Sequence, residues 1–210
     1  IISKEIFIKN KILTPKYFVL KKLDFKKKLK RFLGNKKMKY PVIVKPINEG
    51  SSLGVKIGKN LNDLKKFSKI LFKKYNQLMY EQYIAGQEIQ VAVINKNSVG
   101  AIELIPQRLF YDYKAKYTKA AKTEHIMPAR LNRKKYKEVL KIAKQAHNAL
   151  GCQGVTRSDF KFYKNKFFLL EINTQPGMTN LSLVPEIANY KGISFPNLVE
   201  KILLDASVDR

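Results

Sequence analysis

Two strand-like segments, "GVTRSDFKFY" and "KFFLLEIN", meet at Lys164-Asn165, and this junction limits the possible folds more than any other feature of the chain. A connection of two residues joins only antiparallel neighbours, so the pair predicts a β-hairpin. Asparagine tolerates the positive φ that such a turn demands. The second strand carries Glu171 and Asn173 at its end and then breaks into Gln-Pro-Gly. On a strand, residues two apart share a face. Arg157 and Asp159 therefore share one, as do Glu171 and Asn173, and pairing through the 163–166 turn brings the two sets into one neighbourhood.

Other segments alternate between the two periodicities. Residues 1–12 read as a helix with Ile2, Ile6 and Phe7 or Ile8 on one side, and Thr14-Pro15 turns the chain into the strand "YFVL". A lysine-rich surface helix over 24–39 follows, ending near Gly34-Asn35. "YPVIVKP" is a short buried strand, and "NEGSSLGVKIG" is a glycine-bearing hairpin loop. Leu61 to Lys74 has helical spacing, with Leu61, Leu64, Phe67, Leu71 and Phe72 in its stripe. "LMYEQYI", "EIQVAVI" and "VGAIELI" predict three more strands. Residues 132–150 form a helix with Val139, Ala143, Ala146 and His147 inward, and 195–206 form the last one. Mixed elements with antiparallel hairpins predict an α+β fold over a doubly wound sheet. Residues 108–130 lack clean periodicity, and a loop of that length in a compact domain usually covers something.

Three places can carry chemistry. Asp159, Glu171 and Asn173 offer two carboxylates and an amide oxygen, hard ligands of the kind magnesium takes alongside water and phosphate oxygens. Lys45 leaves the end of a buried strand into a loop with Gly50, Ser51, Ser52 and Gly54, whose N–H groups and hydroxyls can cradle phosphate. That loop is neither a P-loop nor a dinucleotide-binding fingerprint. Glu81 and Glu88 bracket "QYIAGQ" and suit the amino and hydroxyl groups of a nucleoside. His125 and His147 make no metal signature, and His147 reads as a core residue. Tyr111, Tyr113 and Tyr117 read as aromatics of a covering loop.

Composition narrows the classes. The formal charge is +26, from 36 lysines and 6 arginines spread along most of the chain. Scattered lysine solvates a surface, whereas polynucleotide readers exploit arginine's planar fork. A nucleic-acid partner also gives no reason for the three metal-type ligands to converge. The single cysteine, Cys152, excludes an internal disulfide and fits a reducing cytoplasm. No run of eighteen apolar residues offers a membrane span, and residues 1–13 lack the apolar core of a signal peptide.

"VIVKPINEGSSLGV", "FYDYKAKY" and "LLEINTQPGMTNLSLVPE" together resemble the D-alanine–D-alanine ligase family of ATP-grasp enzymes, and the likeness runs over essentially the whole chain. It implies two α+β subdomains with mostly antiparallel sheets enclosing the nucleotide: a smaller one over 14–84 and a larger, metal-binding one over 85–210, with residues 108–130 as a lid. It implies ATP-dependent joining of two D-alanines through an acyl phosphate, for peptidoglycan precursor synthesis in the cytoplasm. By the same resemblance, Lys45 and Lys116 meet ATP phosphates, Glu81 the adenine amino group and Glu88 the ribose, with the backbone of Gln82, Tyr83 and Ile84 along the base. Ser51 and Tyr117 belong to a hydrogen-bonded set near the substrates. Arg157 and Gly177 steady the reacting centre, and Ser182 binds the second D-alanine's carboxylate. Asp159, Glu171 and Asn173 match the ligands of two magnesium or manganese ions.

The family pattern also implies an amino-terminal domain ahead of Ile1, carrying a glutamate for the first D-alanine, a further ATP-contacting lysine just before Ile1, and a homodimer. "TEHIMPA" departs from the tyrosine- and cysteine-containing version common in the family, and Gln175 replaces a serine. The nearest rival is a depsipeptide-forming relative that joins D-alanine to D-lactate. Such members usually alter the tyrosine of "AKY", and Tyr117 retains it.

Overall fold

The computed structural model describes residues 1–50, 52–106, 123–179 and 181–206. They divide into two compact units. Residues 15–84 make the smaller. The larger is built from 1–14 and the described parts of 85–107 and 122–210.

The smaller unit is a four-stranded sheet in the order β1 (Tyr17–Lys21), β4 (Gln77–Gln82), β2 (Val42–Pro46), β3 (Lys56–Gly58). Its pairings are antiparallel. Helices α2 (Phe25–Asn35) and α3 (Leu61–Leu71) lie on one face. Strand alternation selects what they cover: Phe18, Leu20, Val42, Val44, Leu78 and Tyr80 join Phe25, Leu29, Leu33, Leu64 and Leu71 in one core. Ile43, Lys45, Met79 and Glu81 fall on the other face. Tyr80 is fully buried, its hydroxyl 2.7 Å from Ser68 Oγ. Burial pushes that phenol's pKa up to about 12. Asn60 caps α3 by accepting from Asp63 N at 2.9 Å.

The larger unit holds a five-stranded antiparallel sheet, ordered β7 (Glu124–Ile126), β6 (Asn97–Ile105), β5 (Gln87–Ile94), β8 (Val155–Tyr163), β9 (Lys166–Asn173). Helix α4 (Arg133–Ala149) and α1 (Ile2–Lys9) cover one face. The shared core is Phe7, Ile89, Val91, Val93, Ala101, Val139, Ala143, Ala146, Phe160, Phe167 and Leu169. His147 sits there fully buried, its Nδ1 2.8 Å from Thr156 Oγ1. On the opposite face α5 (Leu183–Tyr190) packs over β5 and β6, followed by α6 (Phe195–Asp205). A Cβ at Gly100 would lie 2.9 Å from Ile187 Cγ2, so glycine lets α5 settle onto the sheet. The hairpin turn is as expected: Lys164 and Asn165 have φ of 47° and 62°.

Four details differ from the sequence reading. The first helix ends at Lys9, and it buries Lys4 and Phe7 while Ile2 stands exposed. The loop after β2 contains a short strand, β3. Part of the expected covering loop, Glu124–Ile126, is an edge strand paired with β6, while 107–122 lie outside the described residues. Helix α5 was not anticipated, because its polar approach through 174–182 masks a stripe of only Leu183, Val184, Ile187 and Ala188.

Candidate functional site

In the larger unit the expected metal ligands do share one face, through a device the periodicity conceals. Counting outward from the Lys164-Asn165 turn, Tyr163 pairs with Lys166, Phe162 with Phe167 and Phe160 with Leu169. Regular pairing would next set Asp159 against Leu170 and turn Glu171 toward the helix-covered core. Instead the register shifts: Leu170 is the extra residue of a β-bulge, Asp159 pairs with Glu171, and Arg157 pairs with Asn173. The bulge turns Glu171 and Asn173 to the face that carries Glu88, Arg157, Asp159 and Lys161.

The ion pairs on that face are explicit. Arg157 forks onto Asp159, with Nε to Oδ1 at 2.8 Å and Nη2 to Oδ2 at 3.0 Å. Asp159 is 5% exposed, whereas Glu171 is open to solvent. Lys161 Nζ donates to Glu88 Oε2 at 2.9 Å across the strand pair. Lys161 was not singled out from sequence. The signal was present in "RSDFK", where Arg157, Asp159 and Lys161 recur at every second position. Asn173 Oδ1 accepts from Gln175 N at 3.0 Å, which fixes the amide as the chain leaves the strand.

This donor set fits a divalent cation. The arginine fork uses one lone-pair direction on each Asp159 oxygen, and a carboxylate has about four. One therefore remains on each oxygen, beside the Glu171 carboxylate and the amide oxygen of Asn173. Three oxygen-bearing side chains on two adjacent strands leave the other positions of a magnesium ion to water and phosphate. Among the described residues no trio of His, Cys, Asp or Glu forms a metal cluster, and this set depends on an amide for its third donor.

Beyond β9, a Cβ at Gly177 would stand 2.8 Å from Ser182 Oγ, so a larger residue there would displace the Ser182 hydroxyl. Ser182 occupies the N-cap of α5 but makes no side-chain cap bond. Its hydroxyl turns back, accepting from Thr179 N at 3.0 Å and meeting Thr179 Oγ1 at 2.9 Å. A helix N-terminus whose cap hydroxyl is engaged elsewhere presents its N–H groups to an anion. Glu186, in the first turn, pairs with His125 of β7 at 2.7 Å.

In the smaller unit, Lys45 Nζ donates to Glu81 Oε2 at 2.7 Å. The register explains the meeting: Lys45 pairs with Met79 and Ile43 with Glu81, which makes Lys45 and Glu81 diagonal neighbours. The Glu81 side chain is 2% exposed and that of Lys45 is 22% exposed. Gln82 N is committed to Lys16 O at 2.8 Å, and Ile84 is buried. Ser52 and Gly54, at φ of 62° and 73°, shape the loop after β2. Ser51, Lys116 and Tyr117 lie outside the described residues.

Two antiparallel α+β units, one with a part-buried lysine–glutamate pair and one with Asp159, Glu171 and Asn173 in register on one face, give an ATP-grasp-like architecture. The comparisons supply the family. The D-ala D-ala ligase C-terminus family matches residues 6–204, and the chain belongs to the D-alanine–D-alanine ligase family. It is 56% identical over 209 residues to a D-alanine–D-alanine ligase of Pelagibacter ubique, covering all of this chain and 68% of that protein. It is 46% identical to the Geotalea uraniireducens ligase over 80% of this chain and 54% of the relative. The chain thus spans between half and about two-thirds of the length of these relatives. Among solved structures, a Bacillus anthracis D-alanine–D-alanine ligase complexed with ATP superposes with a TM-score of 0.81, at 29% identity over 97% of this chain and 64% of that one. A D-Ala:D-Ser ligase from Enterococcus faecalis gives 0.84 at 26% identity, over 96% and 59%.

No helix among the described residues is long and apolar enough to cross a membrane.

Proposed function

We propose that this chain is the ATP-grasp portion of a cytoplasmic enzyme that joins two D-alanines to D-alanyl-D-alanine at the expense of ATP, and that the full-length protein is a homodimer. The observation that carries this reading is the bulge-set row of Asp159 against Glu171 and Arg157 against Asn173. Within it, Asp159, Glu171 and Asn173 would hold two magnesium or manganese ions, which would supply positive charge against the nucleotide's phosphate oxygens. Lys45 and Lys116 bind phosphate, with Glu81 holding Lys45 in place while also meeting the adenine amino group. The backbone at Gln82, Tyr83 and Ile84 follows the base, and Glu88 takes ribose hydroxyls.

The first D-alanine's carboxylate is activated by the γ-phosphate, and the amine of the second then displaces phosphate. Arg157, with five fixed donors, can leave one carboxylate oxygen to steady charge on the reacting centre. Gly177 contributes a backbone donor there. Ser182 and the N-terminal N–H groups of α5 take the second D-alanine's carboxylate. Ser51 and Tyr117 orient the substrates, and the segment around them excludes water from an activated carboxyl group that water would otherwise hydrolyse.

The test is ADP release by the full-length protein with Mg-ATP, with and without D-alanine, using L-alanine, D-serine and D-lactate as controls. Release that requires D-alanine alone, with the dipeptide as product, is expected. Release that appears only when D-serine or D-lactate accompanies D-alanine would replace the second substrate. No amino-acid-dependent release from folded protein would overturn the assignment.

A further inference from the structure

The residue beside the acidic row that neither the motifs nor the proposed reaction uses is Gln90. It lies on β5 with no solvent exposure, and neither its Oε1 nor its Nε2 has a hydrogen-bond partner among the described residues. Its neighbours Ile89 and Val91 point into the core beneath α4, so Gln90 points to the other face. Its cross-strand partners are Ile102 on β6 and Asp159 on β8. One row across four strands therefore reads Ile102, Gln90, Asp159, Glu171.

A buried carboxamide without partners is unfavourable, and an apolar side chain of equal size would suit the flank of Ile102 better. What distinguishes the position is the carboxylate beside it. Directly opposed residues in an antiparallel pair stand close enough for their side chains to meet. A glutamine amide adjoining a carboxylate can only be favourable as a donor, and a bond to an ionised acceptor is roughly twice as strong as a neutral one. In the present arrangement Asp159 is held by Arg157 at both oxygens. If Arg157 gives up one carboxylate oxygen to the reacting centre, as proposed above, Asp159 loses one of those bonds while it must still present an oxygen to the cation.

We propose that Gln90 is a positioning residue for Asp159: its Nε2–H, directly or across one water, holds the Asp159 carboxylate in its ligating orientation once Arg157 has given up one of its two bonds to it. This rests on the reading of Asp159, Glu171 and Asn173 as metal ligands. It makes Gln90 part of the outer layer that orients ligands, a layer whose loss typically weakens metal affinity about 10–100-fold.

The experiment titrates Mn²⁺ into the full-length protein in the presence of ATP, following the free-Mn²⁺ EPR signal, and records Tm for each variant. Gln90→Met keeps length and removes the donor. We expect its Mn²⁺ half-saturation to rise about tenfold while Tm stays level or increases, since an unpartnered amide is gone. Gln90→Thr restores a hydroxyl donor in a smaller side chain, and its half-saturation should lie closer to wild type than that of Gln90→Met. Wild-type Mn²⁺ binding in Gln90→Met would overturn the inference, and so would Gln90→Thr no better than Gln90→Met. Should wild type itself bind no Mn²⁺ with ATP, the metal-ligand reading and this inference fall together, whereas binding in wild type with no change in the variants removes this one alone.

Discussion

Asp159 stands directly opposite Glu171 because Leu170, the residue before Glu171, is excluded from the β8–β9 ladder. Deleting Leu170 would remove the extra residue and restore regular pairing, with Glu171 still opposite Asp159 and Asn173 still opposite Arg157. We therefore expect the deletion to keep Mn²⁺ binding with ATP, through the proposed ligands Asp159, Glu171 and Asn173. Leu170→Ala keeps the residue count and the bulge, and should bind Mn²⁺ as the wild type does. Loss of Mn²⁺ binding in the deletion alone would show that the facing of Glu171 and Asn173 is not what sets the proposed ligands.

Lys45 and Glu81 form a pair whose acid is far more buried than its base. Removing the lysine charge leaves a carboxylate with almost no access to water and without that counter-ion. Lys45→Met should therefore cost about 2–4 kcal/mol, and Lys45→Met combined with Glu81→Gln should cost less than Lys45→Met alone. Urea denaturation of the single and double variants measures the coupling. Additive losses would mean that the 2.7 Å contact contributes nothing.

Gly86 has φ of +106°, and a Cβ there would lie 2.2 Å from the carbonyl oxygen of Phe162. The approach puts backbone against backbone, so no flexible side chain can yield. Gly86→Ala should lose at least about 2 kcal/mol of stability, combining positive-φ strain with displacement of β8 where it pairs with β5. A Tm within one degree of wild type would refute this.

The fold was legible wherever a period was uninterrupted. Val139, Ala143, Ala146 and His147 declare α4 at helical spacing, and the Lys164-Asn165 turn declares its hairpin outright. The site was legible only as residue types. Asp159 and Glu171 could be named as partners, but simple alternation through the turn puts them on opposite faces. The reversal comes from one unpaired leucine, which looks like any other apolar residue in "FFLLEIN". Gln90 was hidden for a similar reason: within "EIQVAVI" it reads as the polar side of a half-buried strand, whereas in the fold it is a fully buried amide on the face over which α5 packs. Helix α5 was too short and too polar at its start to announce itself.

His147 supplies a pH dependence with a definite sign. Burial, aided by the positive charge of Lys96, holds its pKa below the usual 6.5, and its neutral ring meets Thr156 inside the core. An unfolded chain takes up a proton here below about pH 6.5, whereas the folded chain resists it until lower pH. This contribution to stability is therefore complete above pH 6.5 and declines as pH falls from there toward the depressed folded value. Tm measured from pH 7.5 to 5 should drop more steeply for the wild type than for His147→Gln, which keeps a polar group near Thr156 but does not titrate. Parallel curves would show that the buried imidazole is not what couples folding to protons.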